Sequence, residues 1–66
     1  MTICINGSKR EFPKGITLEQ LVEHLRLKAK SVVLELNQKV AERGAYSTTE
    51  LQENDVVEIV HFVGGG

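Results

Sequence analysis

The chain has 66 residues with eight Lys/Arg against nine Asp/Glu, a net charge of -1, and so lacks the positive excess on which phosphate-neutralising nucleic-acid binding depends. A domain of this length buries only about 60% of its unfolded surface, leaving no room for both a packed core and a deep pocket of roughly 300 Å³ or more; this argues against a self-contained enzyme and for a substrate, carrier or binding module. One cysteine cannot close an internal disulfide, and no apolar leader or membrane-length apolar run is present, so the expected address is the cytoplasm, with no membrane partner.

Thr2 to Asn6 alternate with the two-residue period of a strand, Ile3 and Ile5 on one face, Thr2 and Cys4 on the other. Asn6-Gly7 is a hairpin signal, because a type I′ turn needs positive φ at both central residues, and Lys9 to Phe12 read as the returning strand. Pro13-Lys14-Gly15 ends it. Thr17 is a good helix N-cap with Gln20 three residues on in capping-box register, and Ile16 and Leu21 fit the hydrophobic staple. Leu18, Leu21, Val22 and Leu25 follow at the spacing of one buried helix face.

Val32 to Leu36 form the next strand, with Val32, Leu34 and Leu36 inward and Val33 and Glu35 outward. Asn37-Gln38 turn it into a short partner around Val40. Residues 43–53 show little periodicity beyond Leu51 and read as a connecting loop with one helical turn. Asn54-Asp55 open a last strand, Val56 to Val63, in which Val57 and Ile59 share the core face. Hairpin, helix, two further strands and a final strand give an α+β domain with one helix packed across one face of a mixed sheet. The last strand is expected in the middle of the sheet, beside the first.

The charge is unevenly spread. Residues 1 to 30 hold six basic and three acidic side chains, and residues 31 to 66 hold two and six. Glu50, Glu53, Asp55 and Glu58 lead into the C-terminal end, where a partner face bearing Arg or Lys would be complementary. If Glu58 faces solvent, then Val56, Val60 and Phe62 share its side of the strand and offer an apolar docking patch. Cys4 has no neighbouring cation or helix N-terminus to activate it and reads as a small packing residue. His24 and His61 stand too far apart for a metal-ligand spacing, and no metal site is expected.

The chemistry is left to the end of the chain. Gly64, Gly65 and Gly66 follow an apolar strand directly, and glycine lets a narrow channel close around the backbone. From Val63 the tail reaches roughly 13 Å when extended. The expected organisation is therefore a domain over 1–63 and a flexible glycine tail over 64–66, with Gly64 and Gly65 threading and Gly66 presenting its carboxylate. A carboxylate resists substitution until it is made a mixed anhydride with AMP, after which a sulfur nucleophile can displace AMP and leave a thiocarboxylate.

The Thr17-Leu18 helix start, the strand ending in Leu36-Asn37, the Asn54-Asp55 turn and above all the run from Val57 through His61-Phe62-Val63 to Gly66 resemble the ThiS family, the bacterial sulfur carriers of thiamine biosynthesis. The resemblance covers essentially the whole chain and is most specific at its C-terminal segment. It implies a ubiquitin-like β-grasp fold and a non-enzymatic carrier, monomeric when free, that binds no cofactor itself. It further implies an E1-like adenylyltransferase that uses ATP and magnesium to adenylate Gly66, a persulfide sulfur donor, and a thiazole synthase that takes the sulfur. The segment from Ala41 to Arg43 lacks a proline that many members carry. The rival readings are the small subunit of molybdopterin synthase, which tends to be longer with prolines before the tail, and a ubiquitin-like tag that forms isopeptide bonds.

Overall fold

In the computed structural model, which describes residues 1–61, the chain opens with strands β1 (Thr2–Ile5) and β2 (Ser8–Glu11). They are antiparallel, with Ile3 opposite Arg10 and Cys4 opposite Lys9. The turn between them has φ of 47° at Asn6 and 85° at Gly7, the left-handed pair that a type I′ hairpin demands. The returning strand ends one residue before Phe12, whose ring turns into the core and is buried.

Helix α1 (Leu18–His24) begins as its sequence dictates. Gln20 N–H donates to Thr17 Oγ1 at 3.2 Å and Thr17 N–H donates to Gln20 Oε1 at 2.9 Å, so two N–H groups that the first turn leaves without helical partners are satisfied reciprocally. Ile16 and Leu21, the staple pair, are both buried. At the other end Arg26 takes φ of 59°, Leu27 N–H donates to the Val22 carbonyl and Arg26 N–H to the Glu23 carbonyl. This is a Schellman stop, here with arginine where glycine is commoner.

Strand β3 (Val32–Leu36) turns through Asn37 and Gln38, both at positive φ, into the two-residue β4 (Lys39–Val40), and β5 is Val56–His61. The sheet order is β2-β1-β5-β3-β4, with β1 and β5 parallel and the other pairs antiparallel. The element order is thus ββαβββ. The short partner expected around Val40 is Lys39–Val40, which pairs against Glu35 and Leu36. β5 lies in the middle beside β1, as expected. The Phe62 and Val63 end of the expected last strand lies outside the described residues.

The inward residues of the central strands, Ile3, Ile5, Val32, Leu34 and Val57, meet Leu18, Leu21 and Val22 of α1. Each such side chain contributes about 1.5–3 kcal/mol on full burial. Phe12, Ile16, Tyr46 and Leu51 close the rim of this core. The segment expected as a connecting loop with one helical turn contains one: Arg43–Thr48 is a 3₁₀ turn, and it buries Tyr46, which the sequence pattern did not mark as core. Leu18 N–H then donates to the Thr49 carbonyl and Leu51 N–H to the Ile16 carbonyl, tying the segment to the start of α1. No helix among the described residues is long and apolar enough to cross a membrane.

Candidate functional site

The helix covers one face of the sheet and leaves the other open, and the pairing register fixes what stands there. Val56 lies beside Cys4 of β1, Glu58 is opposite Glu35 and Val60 is opposite Val33 of β3. Val40 lies opposite Glu35 on its other side. Val56, Val60 and Val40 are 39%, 52% and 66% exposed, far more than isolated strand valines turned to a core. The face is therefore a set of valines around two adjacent carboxylates, running along β5 from Val56 to Val60.

Val56 and Val60 are brought onto one face with Glu58 between them, as the two-residue period requires. Phe62, the third member of the expected docking patch, lies outside the described residues, as do Gly64, Gly65 and Gly66. Val33 and Val40 join the patch, although sequence reasoning did not include them. Val33 was legible as outward-facing, but its place beside Val60 depends on the β3–β5 register, which parity alone does not give.

Two asparagine side chains hold β5 from opposite sides. In a parallel ladder the Asn6 carbonyl would accept the Ile59 N–H next after Asn6 N–H donates to Val57. The latter bond is present at 3.0 Å, but the turn swings the Asn6 carbonyl away. Asn6 Oδ1 accepts from Ile59 N–H instead at 2.7 Å, and Asn6 Nδ2 donates to the Ile59 carbonyl at 3.4 Å. On the other side Asn37 N–H donates to the Val56 carbonyl at 2.8 Å, while Val56 N–H donates to Asn37 Oδ1 at 2.9 Å. Asn37 Nδ2 also donates to Asp55 Oδ1, and Asp55 Oδ2 accepts from Gln52 N–H. In the sequence both asparagines mark turns; their side-chain bonds to β5 carry no sequence signal of their own.

The remaining candidates are placed singly. Cys4 is a partly exposed free thiol on the open face. His24 packs edge-on against Phe12 with ring centroids 5.5 Å apart, and His61 is exposed at the end of β5 opposite Val32. Among the described residues no group of His, Cys, Asp and Glu is arranged to hold a metal ion, and no charged or polar residue is buried. The surface depressions, one between Pro13–Ile16 and the Gln20–His24 side of α1, are open grooves. The arrangement is an open face of exposed valines around two carboxylates, on a central strand held from both sides by asparagine side chains.

Comparison with known proteins gives a consistent result. The model of the ThiS family matches residues 3–66. The sulfur carrier protein ThiS of Bacillus subtilis is 38% identical over 63 residues, covering 94% of this chain and 96% of that protein. A thiazole synthase of Magnetococcus marinus is 42% identical over all 66 residues, although the chain spans only 20% of that protein's length. The crystal structure of a thiamine biosynthesis protein (ThiS) from Geobacter metallireducens superposes with a TM-score of 0.87 at 32% identity, with full coverage of both chains.

Proposed function

The chain belongs to the ThiS family, and we propose on that premise that it is a sulfur carrier of thiamine biosynthesis, a cosubstrate rather than a catalyst. The observation that carries this reading is that the family match runs through residue 66, across a ubiquitin-like body whose central strand, β5, is the last described element and precedes the glycines in sequence. The group that is loaded is the Gly66 carboxylate. An E1-like adenylyltransferase, with magnesium, joins it to the AMP of ATP and releases pyrophosphate. The terminal sulfur of a donor persulfide then displaces AMP, and reduction of the resulting acyl disulfide by a thiol leaves the thiocarboxylate.

Each part of the chain has a task in that sequence. Val56 and Val60, with Phe62, dock the body on the partner. Gly64 and Gly65 thread its channel, since ordering each costs about 1–2 kcal/mol of backbone entropy that two buried apolar anchors at about 1.5–3 kcal/mol each can offset. Gly66 offers an acyl carbon with no side chain crowding it. Thiazole synthase is the acceptor of the sulfur, a reading supported by the thiazole synthase that contains a segment like this chain within its own polypeptide.

The test is Gly66-dependent pyrophosphate release when the protein is incubated with ATP, magnesium and its cognate adenylyltransferase. A variant lacking Gly65 and Gly66 is expected to release none and to fail to restore growth of a thiazole-requiring strain. Full activity in that variant would rule the reading out.

A further inference from the structure

We infer that Asn6 is a positioning residue for loading of the tail: its side-chain amide stands in for the next peptide of β1 and fixes the direction in which β5 leaves the sheet. The inference rests on the carrier reading above. β1 turns away at Asn6, so beyond Val57 the β1 side of β5 has no backbone partner on that strand. Asn6 Oδ1 and Nδ2 fill the gap by bonding the N–H and the carbonyl of Ile59. Among the described residues, the next two, Val60 and His61, pair only with β3, opposite Val33 and Val32. Ile59 is thus the last residue of β5 that the β1 side grips.

A residue at this position must satisfy two demands at once. Its φ is 47°, which asparagine tolerates better than most residues and glycine tolerates freely. Its side chain must also carry an acceptor and a donor one carbon beyond Cβ. Glycine meets the first demand and not the second, so Asn6→Gly removes the grip on Ile59 without straining the turn. Asn6→Asp keeps the acceptor for Ile59 N–H and loses the donor to its carbonyl.

The grip lies between the docking face and the tail. Docking through Val56, Val33 and Val40 does not need it, but the distance and angle from that face to the acyl carbon do. Loss of the grip therefore lowers the fraction of docked molecules whose carboxylate sits in line for attack, a geometric term that commonly reaches one or two powers of ten. It falls on kcat more than on KM.

The full-length protein, Asn6→Gly and Asn6→Asp are compared with the cognate adenylyltransferase, ATP and magnesium, well below the melting temperature, alongside amide exchange at Ile59 in the carrier alone. Asn6→Gly is expected to melt cooperatively and to exchange Ile59 N–H faster. Its kcat for pyrophosphate release should fall about three- to tenfold with KM within about a factor of two, and Asn6→Asp should fall between it and the parent. Parental kcat in Asn6→Gly despite fast Ile59 exchange overturns the inference, as does a loss of activity that merely follows the unfolded fraction. If Asn6→Gly does not melt cooperatively, Asn6→Asp carries the comparison, and parental kcat there overturns it. Absence of pyrophosphate release from the parent itself would instead overturn the carrier reading, and this inference with it.

Discussion

Glu35 on β3 and Glu58 on β5 are direct cross-strand partners on the open face, so two carboxylates stand side by side on strands about 5 Å apart. Neither has a cation within ion-pair distance among the described residues, where the ion pair present joins the Met1 ammonium to Glu11 at 3.8 Å. Like charges placed directly opposite weaken a sheet. Val40 and Val60 border the pair, so the charge lies inside the exposed valine patch.

Replacing one member of the pair should stabilise the free protein. Glu58→Gln is expected to raise unfolding free energy by about 0.2–1 kcal/mol at low salt, with the gain shrinking as salt screens the repulsion in the parent. Denaturation at two ionic strengths checks this. A loss of stability, or a gain indifferent to salt, would mean that the two side chains diverge from one another.

Docking and folding should separate cleanly on β5 and its neighbour. Val60→Ser, at a position 52% exposed, is expected to cost less than about 1 kcal/mol of stability while raising KM in the adenylation assay. Leu34→Ala, at a fully buried position on β3, is expected to cost about 2–5 kcal/mol. A severe loss of stability in Val60→Ser would place that side chain in the core and remove it from the docking face.

Much of this fold was legible because its local signals agree with one another. Asn6-Gly7 fixed the first hairpin through a φ requirement, Thr17 and Gln20 fixed the helix start through two hydrogen bonds, and the parity of Val57 and Glu58 fixed which face of β5 is buried. What escaped depends on contacts distant in sequence. Tyr46 stands in a segment with no hydrophobic period, and it is buried because Arg43–Thr48 folds back against α1. Of the candidate site, Val56 and Val60 were legible by alternation, whereas the roles of Asn6 and Asn37 toward β5 emerge only from where two turns fall in three dimensions.

The capping box offers a test of that local logic. Thr17→Ala should cost about 1 kcal/mol, the usual loss when an N-cap hydroxyl is removed. Because Gln20 and Thr17 serve each other's N–H groups, the double variant with Gln20→Ala should cost less than the sum of the two single changes. Strict additivity in a thermal-melt cycle would show that the two bonds act independently.

Tyr46 is expected to be as costly to remove as any core residue. It is 4% exposed, and truncating a buried aromatic side chain loses about 3–5 kcal/mol. In a domain this small that is a large share of total stability. Tyr46→Ala should therefore lower the melting temperature sharply, and a melt like the parent's would mean that the 3₁₀ turn does not pack on α1 in solution.

The most direct measurement is the intact mass of the protein after incubation with ATP, magnesium, its adenylyltransferase and a persulfide donor, followed by mapping of the change. The expected result is the mass gain of one oxygen-to-sulfur exchange, located on the C-terminal peptide and absent when Gly66 is deleted. No gain, or sulfur that maps to Cys4 with Gly66 unchanged, would contradict the carrier function.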